Sequence, residues 1–262
     1  MVTYPPALPA DWLVPDWPAP ANVRAACTTR AGGQSCGVWQ GLNLGDHVGD
    51  ALADVASNRA AVRRAVGARP VFLQQVHGTS TARLSAATPD GTEADACVST
   101  ERGVACTVMV ADCLPVLFAH DSGQAVAAAH AGWRGLAGGV LESALASLAD
   151  ALDAPIAEVA GHTVAWLGPC IGPRRFEVGA EVREAFVQSD AGAAAAFMAQ
   201  PGGKFLADLP RLARRRLAAA GVTQVSGNDG SDDWCTVLRP SRFFSHRRDR
   251  QSGRFAALVW LG

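Results

Sequence analysis

From Gly103 to His130 the chain is almost continuously apolar, and turn residues cut it into pieces of strand length rather than helix length. Gly103–Val110 and Leu114–His120 are separated only by Ala111-Asp112-Cys113, and Asp121-Ser122-Gly123 then marks a turn before Gln124–His130. Short apolar runs bounded in this way read as strands, and the last two read as a hairpin. A hairpin determines which residues are neighbours. With its turn centred on Ser122, Cys113 and His130 lie side by side at the open end. Each strand is about seven residues long, so that end lies some 20 Å from the turn at about 3.3 Å per residue.

The flanking segments alternate in type. Val23–Thr28 reads as a strand, followed by a glycine-rich loop from Ala31 to Gly37. Asp50–Val66 has helical spacing, with Leu52, Val55, Ala56, Val62 and Val66 on one stripe that Arg59 interrupts. Val71–Val76 reads as a strand ending at His77-Gly78, Leu136–Leu152 as a helix and Val164–Leu167 as a strand. Val178–Ser189 and Asp208–Ala220 are helical, and Arg254–Trp260 is a closing strand. No repeat or linker divides the chain. The expectation is a single α/β domain over 1–262, with α/β/α layers around a mixed sheet.

Charge and cysteine usage narrow the chemistry. Lys plus Arg number 23 against 24 Asp plus Glu, so no global positive field exists to hold nucleic acid or an anionic membrane. Lys204 is the only lysine, and Gly202-Gly203-Lys204-Phe205 fits neither a P-loop nor a Schiff-base site. Anion binding therefore falls to arginine clusters, the better bidentate clamps for phosphate or carboxylate. Seven cysteines without CxxC spacing do not make a disulfide scaffold. Met1–Pro20 lacks the basic and apolar regions of a signal peptide, and no apolar stretch reaches membrane-spanning length. The expectation is a soluble, cytoplasmic protein with reduced thiols.

A thiol beside an imidazole can bind a metal or form a nucleophile–base pair. His77 reaches the same rim if Val71–Val76 neighbours the hairpin, and three ligands with an open fourth position describe a catalytic zinc site. Against this, a lone cysteine is ordinarily a small buried hydrophobe and a lone histidine a satisfied polar residue. Spacing alone leaves these readings side by side. His120 sits at the turn end of the hairpin and reads as structural, His47 and His162 as solvated loop residues, and Cys27, Cys97, Cys106 and Cys235 as core. Arg134, in Gly132-Trp133-Arg134-Gly135 before a helix, could hold an anion. So could Arg242, Arg247, Arg248, Arg250 and Arg254, which otherwise form a solvated face. Gly168-Pro169-Cys170-Ile171-Gly172-Pro173 reads as a stiff turn, and Arg211, Arg214, Arg215 and Arg216 as exposed surface.

Several blocks together resemble the YfiH-type family, long labelled laccase-like or multicopper polyphenol oxidoreductase. They are Leu42-Asn43-Leu44-Gly45 with His47-Val48-Gly49-Asp50, Gln74-Gln75-Val76-His77-Gly78, Ala94-Asp95-Ala96 and Ala111-Asp112-Cys113-Leu114-Pro115-Val116. Ala129-His130-Ala131-Gly132-Trp133-Arg134-Gly135, Gly168-Pro169-Cys170-Ile171-Gly172 and Ser245-His246-Arg247-Arg248-Asp249 complete the set. The resemblance spans nearly the whole chain in order and spacing; His246 stands where the family more often has tyrosine.

The resemblance implies a mixed α/β/α fold related to cysteine-hydrolase-like toxins. It implies a mononuclear zinc site, with copper as the alternative, on His77, Cys113 and His130, which are also the catalytic candidates. Asn43, Arg134, Arg247 and Arg248 are the candidate substrate contacts. The implied activity is purine nucleoside phosphorolysis of adenosine, inosine and methylthioadenosine, with adenosine deaminase activity beside it, so the partners are a purine nucleoside and phosphate. The laccase label conflicts with the ligand count, because six histidines without a His-x-His pair cannot fill a trinuclear copper centre. The zinc-deaminase H-x-E and P-C-x-x-C blocks are absent. Two other readings stand beside phosphorolysis. One is a metal-free Cys113–His130 amidase editing a peptidoglycan precursor, and the other a non-catalytic zinc module.

Overall fold

The central apolar runs are long because each of their strands has both faces covered. A computed structural model describes residues 8–262; the first seven residues of the segment read as no signal peptide lie outside it. In chain order its strands begin with β1 (Val23–Cys27), β2 (Arg69–Phe72), β3 (Thr81–Arg83), β4 (Ala96–Ser99) and β5 (Val104–Val110). Next come β6 (Leu114–His120), β7 (Val126–Ala131), β8 (Thr163–Leu167) and β9 (Glu177–Val178). The last are β10 (Phe197–Gln200), β11 (Lys204–Ala207), β12 (Gln224–Gly227) and β13 (Phe255–Leu261). The helices are α1 (Leu52–Val66), α2 (Trp133–Gly138), α3 (Val140–Leu152), α4 (Ile156–Gly161), α5 (Ala180–Val187), α6 (Leu209–Ala219) and α7 (His246–Asp249).

The mixed α/β class is as expected, and its sheet component consists of two large sheets face to face. A six-stranded sheet runs β12-β8-β6-β7-β4-β3 and a four-stranded sheet β1-β13-β5-β2, with a small sheet β10-β11-β9 at the side. Side chains alternate along a strand, so each central strand feeds two cores. Cys106 and Val108 of β5 meet Leu117 of β6, Ala128 of β7 and Trp166 of β8 between the sheets. On the far side of the six-stranded sheet, Val116 and Phe118 pack with Leu141, Leu145 and Leu148 of α3. On the far side of the four-stranded sheet, Met109 and Leu258 pack with Val62 and Val66 of α1. Helix, sheet, sheet and helix are thus stacked around buried residues. Among the described residues no helix is long and apolar enough to cross a membrane.

The hairpin forms as expected, from β6 and β7. Pro115 stands opposite His130, so Cys113 is level with Gly132, two residues beyond His130, its expected side-by-side neighbour. An even offset keeps a side chain on its face, because the period of a strand is two. Cys113 and His130 are diagonal neighbours on one side of the sheet.

Other expectations change for local reasons. The segment Val71–Val76 leaves the sheet after Phe72, pairs through β2 with β5 rather than with the hairpin, and continues as a loop. Gln75 replaces the strand pairing with its side chain: Nε2 donates to the Met109 carbonyl (2.8 Å) and Oε1 accepts from the Met109 N–H (2.8 Å). The helix expected over Leu136–Leu152 is two helices, because Gly139 at φ 103° breaks the run after α2. In α1, Leu52 is 68% exposed and Ala56 is also exposed, while Asn58 takes a buried place on the stripe. Arg59 closes that stripe from outside, with its guanidinium 4.2 Å from the Phe72 ring centroid. The arginines of α6 are not idle surface: Arg214 donates to the Asn228 carbonyl, and Arg215 and Arg216 pair with Asp190 and Glu142.

Leu117 is completely buried between the two sheets. Leu117→Ala is expected to cost about 2–5 kcal/mol of stability, read from urea unfolding monitored by tryptophan fluorescence.

Candidate active site and metal centre

The open end of the hairpin lies where the chain passes from one sheet to the other. β5 belongs to the four-stranded sheet and β6 to the six-stranded one, so Ala111-Asp112-Cys113 is a corner between layers. Asp112 sits there at φ 93°, a conformation rare outside glycine. Its carboxylate accepts from Thr236 Oγ1 and the Arg247 N–H, both at 2.6 Å, holding the corner against two remote segments.

Cys113, His130 and His77 converge beyond this corner. Their donor atoms all lie within 4.8 Å of one another, and among the described residues no other such group of His, Cys, Asp or Glu is found. Cys113 Sγ is 3.8 Å from His77 Nε2, and the two imidazole rings meet edge to face at 4.7 Å between centroids. The trio is graded in exposure: His130 is buried, Cys113 half-buried and His77 exposed. Gly132 makes the convergence possible. A side chain there would meet His77 Cδ2 at 2.9 Å and Cys113 Sγ at 3.0 Å, so the ring and the thiol occupy its place.

His77 arrives by a route different from the expected one. It comes from the four-stranded sheet through the loop after β2, at φ 62°. Asp95, completely buried, shapes that loop. Its carboxylate accepts from the N–H groups of Val76 (3.2 Å), His77 (2.9 Å) and Gly78 (2.6 Å). It also faces His130 Nδ1 at 2.8 Å. Held this way, Nδ1 carries the proton and Nε2 is turned toward the thiol. Asp95 stands in one of the motif blocks, yet nothing in the local pattern marks it as the residue that joins both histidines.

Electrostatics couple the trio. Burial opposes a charged Cys113, but the charge and hydrogen bonding of His130, joined by His77, bring the thiol down to about 6. Burial equally opposes a charged His130, and the Cys113 thiolate and Asp95 outweigh it, raising the imidazole to about 9. For Asp95 burial also acts upward, and the hydrogen bonds from His130, Gly78 and Val76 hold the carboxyl below the usual range. A thiolate and two imidazoles, one with its tautomer set by a carboxylate, form a donor set suited to zinc or copper.

The trio opens into a cavity of about 400 Å³, a volume typical of small-molecule sites. Ile171 and Phe176 form its apolar wall, and His47, His246, Arg247 and Arg254 its polar one. Arg247 lies over the Phe176 ring at 5.3 Å from the centroid. His47 is an exposed loop residue, as expected, that also lines this cavity, and desolvation together with the charge of Arg254 lowers its pKa. The remaining candidate contacts lie elsewhere. Arg134 is exposed and stacks on Trp133. The Arg248 guanidinium is spent on the carbonyls of Thr236, Val237 and Phe243 and on Asp249. Asn43 is buried, with its amide bonded to Gly45, Asp50 and Arg254. His120 and His162 form a separate pair around Asp121 at the opposite end of the hairpin.

Comparison with known proteins follows the same extent. A family profile described as multi-copper polyphenol oxidoreductase laccase matches residues 24–262. The purine nucleoside phosphorylase YfiH of Escherichia coli is 48% identical over 251 residues, covering 95% of this chain and 98% of that protein. A purine nucleoside phosphorylase of Pseudomonas aeruginosa is 52% identical over 252 residues, covering 95% and 98%. Among solved structures, a Neisseria meningitidis protein superposes with a TM-score of 0.89 at 48% identity, covering 96% of this chain and 99% of that one. YlmD from Geobacillus stearothermophilus gives 0.86 at 29% identity, covering 95% and 96%.

Two outcomes follow from this geometry. In metal-free protein, alkylation of Cys113 by iodoacetamide rises with an apparent pKa of about 6 instead of the 9.0 of a free thiol, and His130→Ala returns it upward; rates against pH by mass spectrometry check this. Gly132→Ala, which forces ring and thiol apart, weakens metal binding by at least about tenfold without loss of the fold, as read by chelator competition and circular dichroism.

Proposed function

This chain belongs to the multi-copper polyphenol oxidoreductase laccase family, and from that premise we propose that it is a zinc-dependent purine nucleoside phosphorylase. The observation that carries the reading is one cavity holding a His-Cys-His cluster, an apolar wall and guanidinium groups. The close relatives that bear the phosphorylase name support it. A single cluster of three ligands suits one ion with an open coordination position, which is the arrangement of a catalytic site and not of a closed structural one.

In this reading the substrates are adenosine, inosine or methylthioadenosine together with phosphate. Zinc on His77, Cys113 and His130 supplies Lewis acidity toward an oxygen of phosphate or nucleoside; copper(II) is a strong competitor for the same donors. Arg247 holds phosphate by charge, with its guanidinium braced on Phe176. Phe176 and Ile171 give the purine an apolar surface and exclude water from its face. A phosphate oxygen bonds to C1′ as the bond from C1′ to the purine nitrogen breaks, and the purine leaves with a proton. His47 and His246 line the cavity and are the imidazoles outside the cluster that can deliver that proton. Adenosine deamination at C6 is proposed for the same cavity, by machinery other than that of the H-x-E zinc deaminases.

A second reading has its own observation. In metal-free protein Cys113, His130 and Asp95 stand as nucleophile, base and base-orienting carboxylate, with a thiol titrating at about 6. That arrangement suits amide cleavage in a cell-wall precursor.

Purified enzyme incubated with inosine or adenosine is expected to release hypoxanthine or adenine and ribose 1-phosphate only when phosphate is present. Cys113→Ala is expected to lose at least about a thousandfold in rate, within the range of removing a metal or nucleophile position. Product identification by mass spectrometry, with zinc quantified in the same sample, checks both. No cleavage by zinc-loaded enzyme, with turnover of a cell-wall peptide by metal-free enzyme, would replace this reading by the amidase.

A further inference from the structure

The motif Leu42-Asn43-Leu44-Gly45 has no donor in the cavity, yet it is bonded to the chain immediately before the last strand. Asn43 Oδ1 accepts from the Arg254 N–H at 2.8 Å, and the Arg254 carbonyl accepts from the Leu44 N–H at 2.9 Å. Gly45 completes the clasp: a side chain there would sit 2.7 Å from Arg254 Cγ and 3.2 Å from its Cβ, so the arginine stem occupies that space. The Asn43 side chain is itself held by Gly45 and Asp50, and its carbonyl by Asn58. Three consecutive residues are committed to placing one side chain.

Arg254 is one of the residues that line the cavity. Nη1 turns back to the carbonyls of Ser252 (2.9 Å) and Gly253 (3.1 Å). Among the described residues, Nε and Nη2 donate to nothing, and no carboxylate lies within ion-pair distance of Arg254, although Arg59 and Arg248 each have one. Asp112, in the same cavity, has both oxygens engaged by Thr236 and Arg247. A largely buried cation without a counter-ion is costly, and an arginine edge with two free N–H groups matches two oxygens of one oxyanion.

We propose that Arg254 binds the phosphate co-substrate through this free edge, and that Asn43-Leu44-Gly45 acts as a positioning clasp for it. The inference rests on the phosphorylase reading. Arg254 holds the oxyanion whose oxygen bonds to C1′ while the base departs with its proton, and so selects phosphate over water as the attacking group.

The test compares zinc-loaded wild type, Arg254→Gln, Arg254→Lys and Gly45→Ala. Arg254→Gln is expected to raise the KM for phosphate about ten- to a hundredfold, the loss of a charge-assisted bond pair. The KM for inosine and the zinc content should stay within about twofold, the spread allowed to a site not touched. Arg254→Lys should recover part of the phosphate KM, and Gly45→Ala, whose Cβ displaces the stem, should move it in the same direction as Arg254→Gln. A merely structural arginine would lower stability and kcat without separating the two KM values. Unchanged phosphate KM in Arg254→Gln, with phosphorolysis intact, overturns the role of Arg254 and leaves the phosphorylase reading standing. Wild-type cleavage that needs no phosphate overturns the phosphorylase reading instead. Calorimetric titration with inorganic phosphate then decides the Arg254 site alone: heat in wild type lost in Arg254→Gln supports it, and equal heat in both overturns it.

Discussion

One buried carboxylate joins the two halves of the site. Asp95 accepts three backbone N–H groups from the loop that carries His77 and one ring N–H from His130, and it is entirely removed from water. The loop comes from the four-stranded sheet and His130 from the six-stranded one. A buried acceptor with four donors is stable where a buried acceptor with none would not be, so the carboxylate and its partners specify each other. The left-handed turn at His77, the tautomer of His130 and the distance between the two rings all depend on it.

The second organising feature is the allocation of arginine. With 22 arginines and one lysine, the chain uses guanidinium groups wherever several carbonyls must be tied together. Arg248 holds the 236–243 segment, Arg214 the 227–228 turn, and Arg59 the Leu44 carbonyl. Of these, Arg248 has Nε, Nη1 and Nη2 all engaged by the protein. Arg247 and Arg254 line the cavity and keep part of the fork unused by the protein. Hydrogen-bonding capacity left unspent beside a cavity depends on the tertiary surroundings of each arginine, and residue type alone does not reveal it.

The family description and the relatives' names point to different chemistries, and the ligand set separates them. Six histidines without a His-x-His pair, two of them in the cluster, two on the cavity wall and two at the far end of the hairpin, leave among the described residues one place for one ion. A corner between two sheets is well suited to such a place. Strand ends from both layers converge there, and the loops that leave them can be shaped without disturbing the core.

Much of this was legible from local pattern. Turn residues at Asp121-Ser122-Gly123 and apolar runs on either side determined a hairpin, and the period of two kept Cys113 and His130 on one face although the register differs by two residues. Composition determined that anion binding is arginine's work. What the sequence did not decide was long-range. That the strands form two facing sheets, that His77 reaches the cluster through a loop gathered by Asp95, and that Arg254 rather than Arg134 or Arg248 faces the cavity all depend on contacts between distant segments. Asn43 and Arg254 are 211 residues apart, and Asp112 and Arg247 are 135 apart. Periodicity and turn chemistry act over a few residues, whereas the direction a side chain faces in a layered fold is set by which remote backbone groups are left to satisfy it.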